Sequence, residues 1–137
     1  TTDADGIIHF RSIKPACYPI PVDGPTGELL RAQGRHNMRP SHLHFLAYRE
    51  GFKTLISQVY ASDDPYIDSD VQFGVTKALI GEYVSQSGPA PDADVLGPWF
   101  KLDYTFKMEP GKMELPRAPI SGKAGGERPQ LPRLQRK

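Results

Sequence analysis

Cysteine is nearly absent: Cys17 is the only one in 137 residues. A lone thiol excludes an internal disulfide and a cysteine-rich zinc cluster, and it fits the reducing cytoplasm expected as the compartment. Long apolar runs are missing too. None approaches the ~20 residues of a membrane-spanning helix, and no basic segment leads into an apolar stretch as a secretory signal would. Charge is almost balanced, at +1, so nucleic acid and acidic membranes are not expected as partners. Apolar residues are 38% of the chain, enough for one modest core and too many for a disordered protein.

What the chain does have is punctuation. Its 14 prolines and 13 glycines are scattered throughout, which favours many short strands over long helices. Asp5-Gly6 reads as a turn, and IIHFRSI (7–13) behind it as a strand. The KPACYPIPVDGPTG segment is too rich in proline for a ladder and reads as a stiff, extended loop. GELLRAQGRHNMRP is irregular, with one helical turn around Leu29–Ala32. ASDDPYIDSD is an acidic, solvated loop, and VQFGVTKALIGEYVS is a short helical turn running into a strand. WFKLDYTFKM alternates cleanly and reads as a half-buried strand. The last residues, SGKAGGERPQLPRLQRK, hold five bases, one acid and no aromatic, so the domain is expected to end near 118 and 119–137 to be a mobile tail.

Between these lies SHLHFLAYREGFKTLISQVY, a β-hairpin with Glu50-Gly51 at its tip. On its first strand His42 and His44 share one face and Leu43, Phe45 and Ala47 the other. With a three-residue loop Arg49 faces Lys53 and His44 faces Gln58, so Gln58 stands beside the histidines; a two-residue loop would turn it away. Side chains at i and i+2 of a strand are about 6.6 Å apart at Cα and can reach one metal ion. Ordinary hydrogen-bonded histidines are the competing reading. No carboxylate lies within the hairpin to complete a two-His-one-carboxylate site. The nearest strong oxygen donor is Tyr18, in the stiffened CYPIP segment. It is either a packed tyrosine or a phenolate ligand, and phenolate with imidazole suits ferric iron.

Four linked motifs sharpen this reading: Y-x-I-P-x-D-G-P from Tyr18, G-R-H from Gly34, R-P-x-H-x-H-F from Arg39 and T-L-x-S-Q-V-Y from Thr54. At these spacings the chain, from about Asp3 to about Leu115, resembles the intradiol ring-cleaving dioxygenases, within them the hydroxyquinol 1,2-dioxygenase group. The resemblance implies an all-β fold, an antiparallel β-sandwich with short helical turns. It implies a non-haem Fe(III) cofactor with Tyr18, His42 and His44 as metal ligands, Tyr18 being the tyrosine that swings off iron. It implies catalytic roles for Tyr18, for Arg39 beside the substrate ring and for Gln58 in the same pocket. The substrates implied are a small ortho-diphenol, hydroxyquinol first and catechol second, and O2. The full-length enzyme would be a homodimer. A further tyrosine ligand lies well upstream in that family, so this chain is expected to be the C-terminal portion of the catalytic domain. Two other readings compete: a metal-free β-sandwich acting as a binding module, and a zinc site built on the same histidines. His36 and His9 are read as structural and surface residues.

Overall fold

The computed structural model describes residues 1–95 and 97–114. The tail expected at 119–137 and the boundary near 118 lie outside them. Strands outnumber helices, as proline and glycine content requires. The elements run β1 (Tyr18–Pro19), α1 (Pro25–Ala32), β2 (Met38–Arg39), β3 (His42–Ala47), β4 (Leu55–Ala61), a 3-10 turn (Lys77–Leu79), β5 (Ile80–Gly81), β6 (Val84–Gln86) and β7 (Trp99–Lys101). They form three small sheets: β1-β2, β3-β4-β5 and β6-β7. Two compact units result, Thr1–Leu46 with Ile56–Lys107, and Ala47–Leu55 with the described residues from Met108 to Glu114.

The first unit holds the core. Val59, Tyr60 and Ala61 at the end of β4 have no exposed surface, and Leu30 of α1 and Val71 are buried with them. On β3, Phe45 takes the apolar side and packs its ring against Phe10 at 6.3 Å and Phe106 at 4.7 Å. The opposite side is left to the histidines, as alternation requires.

Several expectations need correcting. α1 has two turns rather than one. Pro25 supplies a preset φ at its start. At its end, Gly34 at φ +62 lets Arg35 N donate to Leu30 O and Gly34 N to Arg31 O, closing the helix. Residues 7–13 are not a strand. The Asp5-Gly6 turn forms as read, with Asp3 Oδ1 accepting from Asp5 N and Ile7 N, but Ile7, Ile8, Phe10 and Ile13 are exposed and have no ladder partner among the described residues. Alternating composition makes a strand only where a neighbouring edge exists to receive it. The same holds past Lys101: burial still alternates from Leu102 to Met108, but regular pairing stops after β7. Not every pair is antiparallel. β4 and β5 run parallel, Tyr60 opposite Ile80 and Ala61 opposite Gly81, because the chain returns through the 62–79 connection and its 3-10 turn.

Within the second unit the turn falls at Glu50-Gly51 as expected, but the expected three-residue loop with Arg49 facing Lys53 does not form, since Lys53 N donates to Glu109 O instead. Phe52 N donates to Arg49 O across Glu50-Gly51, with Gly51 at φ +83. The described residues beyond the tip bond to 109–111: Lys53 N to Glu109 O, Gly111 N to Gly51 O, and Phe52 bridged to Pro110.

Candidate metal and substrate site

The sharp X-Pro segments on either side of α1 bring two distant stretches together. β1 and β2 pair antiparallel, with Tyr18 opposite Arg39 and Pro19 opposite Met38. Residues opposite each other project to the same side, so the phenol and the guanidinium meet: Arg39 Nη1 donates to Tyr18 Oη at 3.3 Å. Pro40 then turns the chain into β3, and His42 comes under the same guanidinium, its Nε2 3.3 Å from Nη1.

The histidine's tautomer is fixed by its other nitrogen. His42 Nδ1 lies 2.7 Å from the Pro40 carbonyl, which can only accept. Nδ1 therefore carries the proton, and the Nε2 lone pair faces Arg39 Nη1. Burial pushes the His42 pKa down, partly offset by the Pro40 bond and reinforced by the charges of Arg39 and His44. His44, two residues on, is exposed, and its ring centroid is 4.8 Å from that of His42. The Tyr18 and His42 ring centroids are 5.6 Å apart.

Arg39 is 5% exposed, and a buried cation needs a partner. It finds Asp70. Nε donates to Oδ1 at 3.2 Å and Nη2 to Oδ2 at 3.4 Å, while Nη2 also donates to Tyr60 Oη at 2.9 Å. Burial opposes the charge on both partners, yet the bonds win: Arg39 is held above its ordinary value, and Asp70 below the usual carboxylate range by Arg39 and by the Gly74 and Gln72 amides. Burial raises the Tyr60 phenol, against the pull of Arg39.

Gln58 lies on this side as well. Its Nε2 donates to Tyr60 Oη, and the Tyr60 ring is 5.2 Å from His42. Gln58 and His44 share an open cleft of about 290 Å3 with Ile56, Ser57 and Leu79. All five residues named from the sequence, Tyr18, Arg39, His42, His44 and Gln58, thus gather in one region. His36 stays apart. Its Nδ1 accepts from Met38 N, so its Nε2–H must donate to Ser69 Oγ at 3.0 Å, and it cannot act as a base toward that serine.

The acidic loop is not simply solvated, and Asp70 and Tyr60 were missed. Asp64 and Asp70 are 8% and 4% exposed. Asp64 accepts from Ser41 N and Tyr66 N, so it ties the loop to the entrance of β3. A signal for Tyr60 was available, since it stands two residues after Gln58 and shares its face. The signal for Asp70 was weaker: only the need of a buried arginine for a carboxylate pointed to that loop.

The donor set fits a hard, trivalent cation. Tyr18 Oη and His42 Nε2 both lie 3.3 Å from Arg39 Nη1, and a second imidazole stands beside them. Asp70 is not a further ligand, because all four of its acceptor positions are filled: Arg39 and Gln72 at Oδ1, Arg39 and Gly74 at Oδ2.

Comparison with known proteins points to one family. The family model described as Dioxygenase matches residues 1–109. A 6-chlorohydroxyquinol 1,2-dioxygenase of Cupriavidus pinatubonensis is 46% identical over 106 residues, covering 77% of this chain and 35% of that protein. The crystal structure of hydroxyquinol 1,2-dioxygenase from Pseudomonas putida superposes with TM-score 0.63 at 44% identity, over 71% of this chain and 35% of that one. For 3-chlorocatechol 1,2-dioxygenase from Rhodococcus opacus the TM-score is 0.71 at 35% identity, over 80% and 41%. The chain belongs to the intradiol ring-cleaving dioxygenase family. It spans about a third of the length of the curated relatives it matches.

Proposed function

We propose that this chain carries the histidine pair, one tyrosine and the substrate-facing cation of an Fe(III) enzyme that cleaves an ortho-diphenol between its two hydroxylated carbons. Hydroxyquinol is the preferred substrate, catechol the second choice. The observation that carries the reading is the convergence of Tyr18 Oη and His42 Nε2 on one cationic atom, 3.3 Å from each, with His44 adjacent. The relatives' names support the substrate class.

Tyr18, His42 and His44 would hold the metal. Bound there, Fe(III) supplies Lewis acidity that lowers the pKa of the diphenol hydroxyls and the electron withdrawal that opens the ring to O2. The protein's own contributions follow from where its atoms stand. His42 offers Nε2 because Pro40 holds the proton on Nδ1. Tyr18 is 43% exposed on a two-residue strand, so its phenol can swing aside and take a substrate proton at Oη. Arg39 cannot lose its proton and presents a fixed positive charge at Nη1 toward the electron-rich ring. Gln58, held by Tyr60, adds a neutral wall to the same side. Both atoms of O2 end in the product: hydroxyquinol plus O2 gives 3-hydroxymuconate, the enol form of maleylacetate.

Oxygen uptake by the iron-loaded complete protein tests this. Stoichiometric uptake with hydroxyquinol, slower uptake with catechol and formation of a dicarboxylate are expected. No uptake with either diphenol would overturn the assignment.

A further inference from the structure

We propose that the buried Asp70 carboxylate, seconded by the Tyr60 hydroxyl, is a positioning clamp that aims one edge of the Arg39 guanidinium at the site. The inference deepens the proposed function and rests on it for its kinetic consequences. Its geometric content stands separately.

The hydrogen-bond count carries the argument. A guanidinium has five N–H donors in a rigid plane. Here each has a partner: Nε–H goes to Asp70 Oδ1, the two Nη2 hydrogens to Asp70 Oδ2 and Tyr60 Oη, and the two on Nη1 to Tyr18 Oη and His42 Nε2. Asp70 grips two adjacent nitrogens, which fixes the plane and its rotation. Tyr60 takes the remaining Nη2 hydrogen, and Nη1 alone faces Tyr18 and His42. Removing the carboxylate would free the plane to tilt about the side chain's own torsions.

The carboxylate is itself anchored. Gln72 N donates to Oδ1 at 3.2 Å and Gly74 N to Oδ2 at 2.8 Å, so Asp70 also shapes the 70–74 loop, where Phe73 is held at φ +54. A donor-only surround suits a carboxylate and no other group. An asparagine in its place would turn its NH2 toward an N–H of Arg39 or of the loop and leave that pair unsatisfied. None of the Asp70 bonds reaches Tyr18, His42 or His44, so the clamp acts on the site through Arg39.

The test compares Arg39→Met, Asp70→Asn, the double variant and Tyr60→Phe in the complete protein. The first readout is kcat and KM for hydroxyquinol with iron loaded. The second is the arginine Nε–Hε NMR signal of Arg39 before iron loading. Asp70→Asn is expected to lower kcat about 10²-fold with little change in KM, the usual effect of loosening one preorganised group. The double variant is expected to be no slower than Arg39→Met, and the Arg39 signal in Asp70→Asn to move toward those of exposed arginines. A double variant slower than Arg39→Met by the full Asp70→Asn factor, or an unmoved signal, would overturn the clamp. If Asp70→Asn does not fold, Tyr60→Phe decides: a fall in kcat of up to about tenfold with a displaced Arg39 signal supports the clamp, and no change in either refutes it. If the iron-loaded parent cleaves no diphenol, the functional reading fails, and the NMR arm still judges the clamp.

Discussion

Arg39 concentrates most of the site's design in one side chain. It is buried, carries a charge that cannot be removed, and touches Tyr18, His42, Tyr60 and Asp70. Arg39→Met is expected to slow ring cleavage by an amount equivalent to about 2.7–4 kcal/mol of barrier, read as kcat/KM in steady-state kinetics; a change below threefold would contradict its role. His42 gives a pH prediction. Its pKa is pushed below the ordinary histidine value of 6.5, so it stays neutral to lower pH than a free imidazole. Because a metal binds only the neutral imidazole and a proton competes for the same lone pair, proton competition at His42 should set in only below about pH 6.5. Iron retention followed from pH 8 downward checks this. Loss centred above pH 7, controlled by His42, would contradict it. The gathering of these residues was legible because four spaced motifs carried a family resemblance; spacing alone, two imidazoles at i and i+2 and a stiffened phenol, left ordinary hydrogen-bonded side chains open. Asp70 was not legible, since nothing in ASDDPYIDSD separates the buried Asp64 and Asp70 from the exposed Asp63 and Asp68.

Elements decide which of these side chains meet. The β1-β2 pair exists because the prolines around 15–25 prevent a longer strand and α1 returns the chain on itself. That pairing sets Tyr18 opposite Arg39. The hairpin's alternation was readable and placed Gln58 on the histidine side. The partners of 7–13 and 102–108 were not, because pairing depends on a neighbouring edge that local pattern does not encode. α1 was underestimated for a related reason: Gly27 weakens the helix locally, while the Gly34 closure and burial of Leu30 restore it. The 70–74 turn offers an element-scale test. A Cβ on Gly74 would lie 2.5 Å from Tyr60 Oη, 3.1 Å from Asp70 Oδ2 and 3.2 Å from Gln58 Nε2. Gly74→Ala should therefore cost about 1–3 kcal/mol of stability, as overpacking does, and lower activity as well. Denaturant unfolding read beside kcat checks both; an unchanged midpoint would contradict this packing.

For the whole molecule, the buried Arg39–Asp70 pair ties folding to pH. The Asp70 pKa is lower in the folded chain than in the unfolded one, so the unfolded state takes up its proton first as pH falls. This contribution is complete above about pH 4 and is lost as pH drops below it through the folded value. Asp70→Asn should flatten the acid limb of a stability-versus-pH curve, and an unchanged limb would contradict it. At the other end of the chain, Ile7, Ile8, Phe10 and Ile13 stand 49%, 53%, 56% and 89% exposed, a sticky stretch for an isolated polypeptide. The 137-residue chain is expected to self-associate as its concentration rises, measured by light scattering; a monodisperse monomer at high concentration would count against this. The family and its strand-rich fold were legible from four motifs spaced between Tyr18 and Tyr60. The central claim is that Tyr18 and the histidine pair share one ferric ion, and visible absorption of the iron-loaded complete protein, compared with its Tyr18→Phe variant, tests it most directly. The account predicts a tyrosinate-to-iron charge-transfer band that weakens and shifts in the variant. An identical band in both proteins, at equal iron content, would contradict it.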